Sequence, residues 1–168
     1  MKRTLCFTLI LSLLLGASGC SLLPENSENT VVFYYEQTEY QYGQADAVVC
    51  GEKRDSSGHN HDLQYLLSLY MMGPVSSTLK SPFPEGMQVL DVKVRMDLVR
   101  VTVSEELNTL SDSRHSLALA CLALTSMELS GQESVVIVCG EDHTVLDRTM
   151  LTLFDSAAKI TPKEGETP

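Results

Sequence analysis

Four histidines and a scatter of acids, serines and thiols are the side chains from which any chemistry in this chain would be built. His59 and His61, with Asp62 and Cys50, come closest to a metal site. Zinc needs three or four ligands fixed by structure. Two histidines two positions apart, in a polar run around Ser56-Ser57-Gly58, lack the i, i+4 spacing that sets a pair on one helix face. They read as a solvated loop, with no metal site assigned. Asp112 and His115, among Ser111 and Ser113, supply the residue types of a hydrolytic triad as sequence neighbours. A triad converges in space on an oxyanion hole, and no Gly-x-Ser-x-Gly elbow accompanies these residues. Capping a helix start explains them. Glu105-Glu106 would be a carboxylate pair, but adjacent side chains diverge, and glycoside cleavage needs facing carboxyls about 5–9.5 Å apart. An acidic first helical turn accounts for both. Tyr34 and Tyr35 sit in a strand pattern with core or sheet-surface roles, whereas Tyr40 and Tyr42, in a polar stretch, are candidates for contact with a partner or a sugar chain. No catalytic residue and no cofactor motif emerges.

The strongest chemical signal is Cys20. Lys2 and Arg3 precede an apolar run from Leu5 to Leu15, which ends in Gly16-Ala17-Ser18-Gly19-Cys20. A basic start, an apolar stretch of about 7–15 residues and small residues before a cleavage point define a secretory signal. The run is shorter than the ~20 residues of a membrane span. Small residues ending at a cysteine look like a bacterial lipobox, with Ala17 where leucine is more usual; the expectation is removal of residues 1–19 and acylation of Cys20. Two or more acyl chains give stable anchoring where one does not. Cleavage takes Lys2 and Arg3 and no acid, so ten bases stand against 22 acids and the charge moves from −10 to −12. Nucleic acid is excluded as a partner, since phosphate binding needs a basic surface. The same balance predicts that the acyl chains are the sole membrane attachment. Cys50, Cys121 and Cys139 remain in apolar contexts and read as buried, inert thiols, or as one disulfide with a thiol left over, the pair unassigned.

The elements that position these residues follow from periodicity. Residues 20–30 are a polar, proline-containing linker. Val31-Val32-Phe33-Tyr34-Tyr35 is a β-branched and aromatic strand, and Ala45 to Cys50 pairs with it as a hairpin. Glu52 to His61 reads as a loop. Leu63, Leu66, Leu67 and Tyr70 recur at i, i+3, i+4, i+7, a helix capped by Asn60 or Asp62 and stopped by Gly73-Pro74. Ser76 to Gln88 is a loop paced by Pro82, Pro84 and Gly86. Leu90, Val92 and Val94 alternate with Asp91, Lys93 and Arg95; Val99, Val101 and Val103 alternate on the return, a hairpin turning at Met96-Asp97 without glycine. A second, longer helix carries Leu117, Cys121, Leu124 and Met127, with Gly131 at its left-handed end. Val135 to Val138 is a buried strand, Leu146 to Phe154 a last edge strand, and 155–168 a disordered tail. The fold class is α+β: one domain over 31–154, with a mixed or antiparallel sheet covered on one face by two helices.

The order of these features resembles the GerMN domain, the sporulation and spore-germination domain of bacterial envelope lipoproteins. The resemblance rests on Val32-Phe33-Tyr34-Tyr35, Met72-Gly73-Pro74, Pro84-Glu85-Gly86, Val89-Leu90-Asp91-Val92, the Val101 to Leu107 hairpin ending, the long helix, and Val135 to Gly140, together spanning about residues 31–140. It departs at Met96-Asp97, where glycine is usual, and in the histidine-containing loop. The resemblance implies a fold similar to the ring-building modules of secretion machines and a non-enzymatic lipoprotein that docks envelope or sporulation-complex proteins; it brings no catalytic residues. Asp91, Lys93, Arg95 and Arg100 on the outer hairpin face are the expected docking charges. A peptidoglycan- or small-ligand-binding module is the alternative.

Overall fold

The computed structural model describes residues 29–39 and 48–151. Cys20, the linker before residue 29, Tyr40, Tyr42 and the tail from 152 onward lie outside the described residues. Strand β1 (Thr30–Gln37) pairs antiparallel with β2 (Val49–Asp55), from Thr30 opposite Asp55 to Glu36 opposite Val49. Helix α1 (Leu63–Met71) starts at Asp62, whose carboxylate accepts the Tyr65 amide at 3.0 Å, and ends before Gly73, whose φ of +87° only glycine takes without strain. A two-residue strand, β3 (Leu79–Lys80), closes the other edge of β1.

The second half of the chain builds a separate sheet. Strands β4 (Val89–Arg95) and β5 (Leu98–Val103) form the expected hairpin, with a bulge at Leu90. A short 3₁₀ helix (Glu105–Thr109) leads into α2 (Asp112–Ser130), which ends at Gly131 with φ +67° as its position predicts. Helix α2 is the crossover that lets β6 (Ser134–Cys139) lie parallel to β5, and β7 (Asp142–Asp147) then returns antiparallel. The order across this sheet is β4-β5-β6-β7.

The α+β class stands, and its strands divide between two sheets. Beyond the short β3, the free edge of β1 is met by α2, where the Tyr34 amide donates to Thr125 Oγ1 at 2.9 Å. Two sheet faces thus need one helix, which explains an apolar surface broader than a single seam: Ala118, Cys121, Leu122, Ala123, Thr125, Ser126 and Met127 are all buried. They join Phe33, Tyr35, Leu66, Leu67, Tyr70, Val99, Val101, Val135 and Ile137 in one core. Tyr70 is its hinge pin. Its hydroxyl donates to the Tyr34 carbonyl, its own carbonyl accepts the Tyr35 hydroxyl at 3.0 Å, and its ring sits 4.9 Å from that of Tyr35 and edge-on to Phe83 at 5.2 Å. Complete burial pushes the Tyr70 phenol well above its ordinary range.

Three elements differ from expectation, the first being β3, which forms inside the expected Ser76 to Gln88 loop. The second strand occupies Val49–Asp55 and the loop begins only at Ser56. As an edge strand with exposed positions, β2 can carry Glu52, Lys53 and Arg54, and those charges hide it from a search for apolar alternation. The last strand ends at Asp147 where the expectation began at Leu146. Gly140, with φ +60°, permits a tight turn directly after β6, so β7 starts at Asp142.

Candidate functional site

The histidine loop does not assemble a metal site. His59 stacks on Tyr65, with centroids 4.1 Å apart, and Asp62 is occupied as the α1 cap. Cys50, five residues from the end of β2, donates toward Gln37 Oε1 at 3.6 Å. Among the described residues no group of three or more His, Cys, Asp or Glu side chains is placed to hold a metal. At the α2 start, Ser111 occupies the cap position without a side-chain cap bond, and its carbonyl accepts the His115 amide at 2.7 Å. Ser111, Asp112, Ser113 and His115 occupy the cap position and first turn of α2. Glu105 and Glu106 open the 3₁₀ helix; the Ser104 hydroxyl beside Glu106 holds that carboxyl below its usual range, with its own backbone amide helping. That is an acid kept ionised, unlike the raised carboxyl of a general acid.

The buried thiols Cys121 and Cys139 are unsuited to nucleophilic work. Burial pushes Cys121 up to about 12, with Glu36 adding to the shift. Cys139 is raised, again chiefly by burial, and donates to the Ser104 carbonyl at 3.4 Å. Cys121 and Cys139 are free thiols, both buried. A pocket of ≈ 210 Å³ opens where the α2 start meets the β6–β7 turn, lined by Asn108, His115, Leu119, Ile137, Asp142 and His143. Sites for small molecules typically occupy about 300–1,000 Å³, and this one falls below that range.

What the fold does present is an open sheet face. On β4 to β7 the side chains of Val99, Val101, Val103, Val135, Ile137 and Cys139 turn toward the helices and are buried. Alternation then sends their neighbours to the opposite side. The ladder register aligns these neighbours in rows across the sheet: Lys93, Arg100, Val136, Val145; and beside it Asp91, Thr102, Val138, His143. The β4–β5 half is charged; the β6–β7 half places Val136, half-buried, and Val145, 62% exposed, beside His143 and a buried Val138. All four hairpin charges picked out by alternation, Asp91, Lys93, Arg95 and Arg100, fall on this face. The exposure of Val136 and Val145 is not legible in the sequence, because Val135 to Val138 reads as uniformly buried and Asp142 to Thr144 are all polar.

The model of one protein family, Germane: sporulation and spore germination, matches residues 31–142, two-thirds of the chain and nearly all of the described fold. The chain belongs to the Germane family. Its backbone is similar to the first GerMN domain of the sporulation protein GerM from Bacillus subtilis, at 10% identity and TM-score 0.50, with 68% of this chain and 86% of that one covered. That likeness concerns the fold alone. The tandem GerMN domains of the same protein align at 18% identity and TM-score 0.48, covering 76% of this chain and 43% of theirs. A Clostridium perfringens chain with a provisional lipoprotein assignment aligns at 14% identity and TM-score 0.46, covering 71% and 87%. No curated protein matches the chain. Among the described residues, no helix of this Germane domain is long and apolar enough to cross a membrane.

Proposed function

We propose that this Germane domain is a non-enzymatic docking module, held on the outer surface of the cell membrane by lipid on Cys20 and acting in sporulation, germination or envelope assembly. The observation that carries the reading is the four-stranded sheet, covered by helices on one face and open on the other, with a charged half beside the Val136 and Val145 patch. A face of this kind suits a protein partner: the apolar patch supplies burial and the charged flank supplies register and discrimination. Asp62 is engaged in a helix cap, His59 in a ring stack, and Cys121 and Cys139 in the core. The lipobox-like run ending at Cys20 supports the anchor, and membership of the sporulation and germination family supports the setting.

The test is recovery of the tagged full-length chain from cross-linked cells, alongside Cys20→Ala and a Val136→Glu/Val145→Glu face variant. The expected outcome is that Cys20→Ala leaves the membrane fraction, while the face variant stays there and loses its protein partners. A face variant that keeps every partner would overturn the assignment of the surface. Recovery of wall fragments alone would establish a peptidoglycan-binding module instead.

A further inference from the structure

We propose that the β4–β5 hairpin is a second membrane contact, one that binds anionic phospholipid headgroups. The proposal rests on the tethered reading in supposing that the domain lives beside a bilayer, and it gives the hairpin cations to lipid while the Val136 and Val145 patch remains for a protein partner. In an acidic chain of net charge −10, this hairpin gathers Lys93, Arg95 and Arg100 on one exposed face. Lys93 and Arg95 are two apart on β4, and Arg100 stands directly opposite Lys93 across the ladder. Like charges directly opposite each other on a sheet are destabilising, and the Asp91 ion pair offsets only the Lys93 side of the pair. An external anion would relieve it. Two acids are nearby: Asp91 pairs with Lys93 at 2.6 Å, and Asp97 sits in the turn. Among the described residues, neither Arg95 nor Arg100 has an acid within ion-pair distance.

The tip adds an apolar element. Met96 is 100% exposed and takes a left-handed φ of 46°, a conformation that L-residues adopt at a cost and that usually falls to glycine in hairpin turns. A strained, fully solvated methionine flanked by arginine has no role within the domain. At a headgroup layer it can enter the apolar boundary while the cations meet phosphates, the division of labour of interfacial membrane segments. The strand edge itself argues against a peptide occupant: β4 carries a bulge at Leu90 and an exposed Lys93, two devices that discourage the addition of another strand.

Net negative charge does not prevent this contact. The Debye length is about 8 Å at physiological salt, so acids on the far side of the domain are screened from a surface touching the hairpin. The expectation that acyl chains are the sole attachment treats charge as an average, whereas the contact proposed is local. Residues 20 to 29 span at most about 30 Å when fully extended, so an anchored domain stays near the bilayer and a weak contact with it suffices. Each Lys or Arg near an anionic surface is worth about fivefold in partitioning, and three are worth on the order of 100-fold.

The chain contains no tryptophan, so Met96→Trp places a single reporter at the tip. The experiment uses the chain from residue 20 onward with Cys20→Ser, carrying no lipid, mixed with vesicles of phosphatidylglycerol and phosphatidylcholine or of phosphatidylcholine alone. The expected result is a blue shift and co-sedimentation with the anionic vesicles only, reversed by salt. Lys93→Gln/Arg95→Gln/Arg100→Gln should weaken that binding on the order of 100-fold with an unchanged circular dichroism spectrum. The Met96 chain without the reporter is sedimented in parallel. Absence of binding, equal binding to both vesicle types, or undiminished binding of the triple variant would overturn the proposal. So would a hairpin-dependent dimer with no vesicle binding, which would make the occupant a second copy. Because this assay needs no acylation, its failure is separable from failure of the anchor, which is read independently from the mass of Cys20 peptides isolated from membranes.

Discussion

The Glu36 carboxylate is the point at which three elements are locked together, and its energetics can be tested directly. The group is 1% exposed and lies between Arg114 of α2 at 2.5 Å and Lys80 of β3 at 3.1 Å. A charge pair about 4 Å apart is worth about 4 kcal/mol at an effective dielectric of ~20. Arg114 and Lys80 are 38% and 45% exposed, so solvent screens each interaction from the cationic side and the realised values are smaller. Removing one partner also leaves a buried carboxylate less compensated, a change that costs about 3–5 kcal/mol when burial is complete. Arg114→Met should therefore cost about 2–3 kcal/mol, and Lys80→Met, on the more exposed flank, about 0.5–1 kcal/mol. Glu36→Gln should cost about 1–2 kcal/mol, and the double variant Glu36→Gln/Arg114→Met should recover a coupling of about 1.5–2 kcal/mol relative to the sum of the singles. Urea denaturation followed by circular dichroism gives these values from midpoints at constant slope. An Arg114→Met cost below about 0.5 kcal/mol, or strict additivity in the cycle, would show that the pair is a surface contact in effect and that β1 and α2 are held by packing alone.

Two further outcomes follow from the core and the turn. Cys121 is raised from 9.0 to about 12 by burial, so its neutral thiol favours the folded state fully below pH 9, and that contribution is lost as pH climbs through 12. The urea midpoint should hold from neutrality to about pH 9 and then fall; Cys121→Ala should be less stable at neutral pH yet lose less on going to alkali, and parallel alkaline slopes for the two proteins would contradict this. Met96→Gly should raise stability by about 0.5–1 kcal/mol, because relief of left-handed strain exceeds the added entropy of the unfolded chain. Thermal melts check it against Met96→Ala, which keeps the strain; equal shifts for the two would deny that strain is present.

The elements that local physics dictates were legible in advance. The spacing of Leu63, Leu66, Leu67 and Tyr70, the stop at Gly73-Pro74, the alternation on either side of Met96-Asp97, and the left-handed end at Gly131 each follow from one turn or one ladder of chain, and each stands in the structure. The edge strand β2 escaped because charged residues are stable on an edge, and β7 because one glycine turn moved it forward. Alternation also placed Asp91, Lys93, Arg95 and Arg100 on one side of the hairpin. The sequence alone therefore determined which hairpin residues lie inward and where the helices begin and end. Only tertiary structure decided that the strands form two sheets, that Glu36 is buried between Arg114 and Lys80, and that the cationic hairpin shares an open face with Val136 and Val145. Those are pairings between residues tens of positions apart. Periodicity reports which way a side chain turns from its own backbone, while its neighbours across the fold are set by how helices and sheets pack to bury the whole apolar surface together.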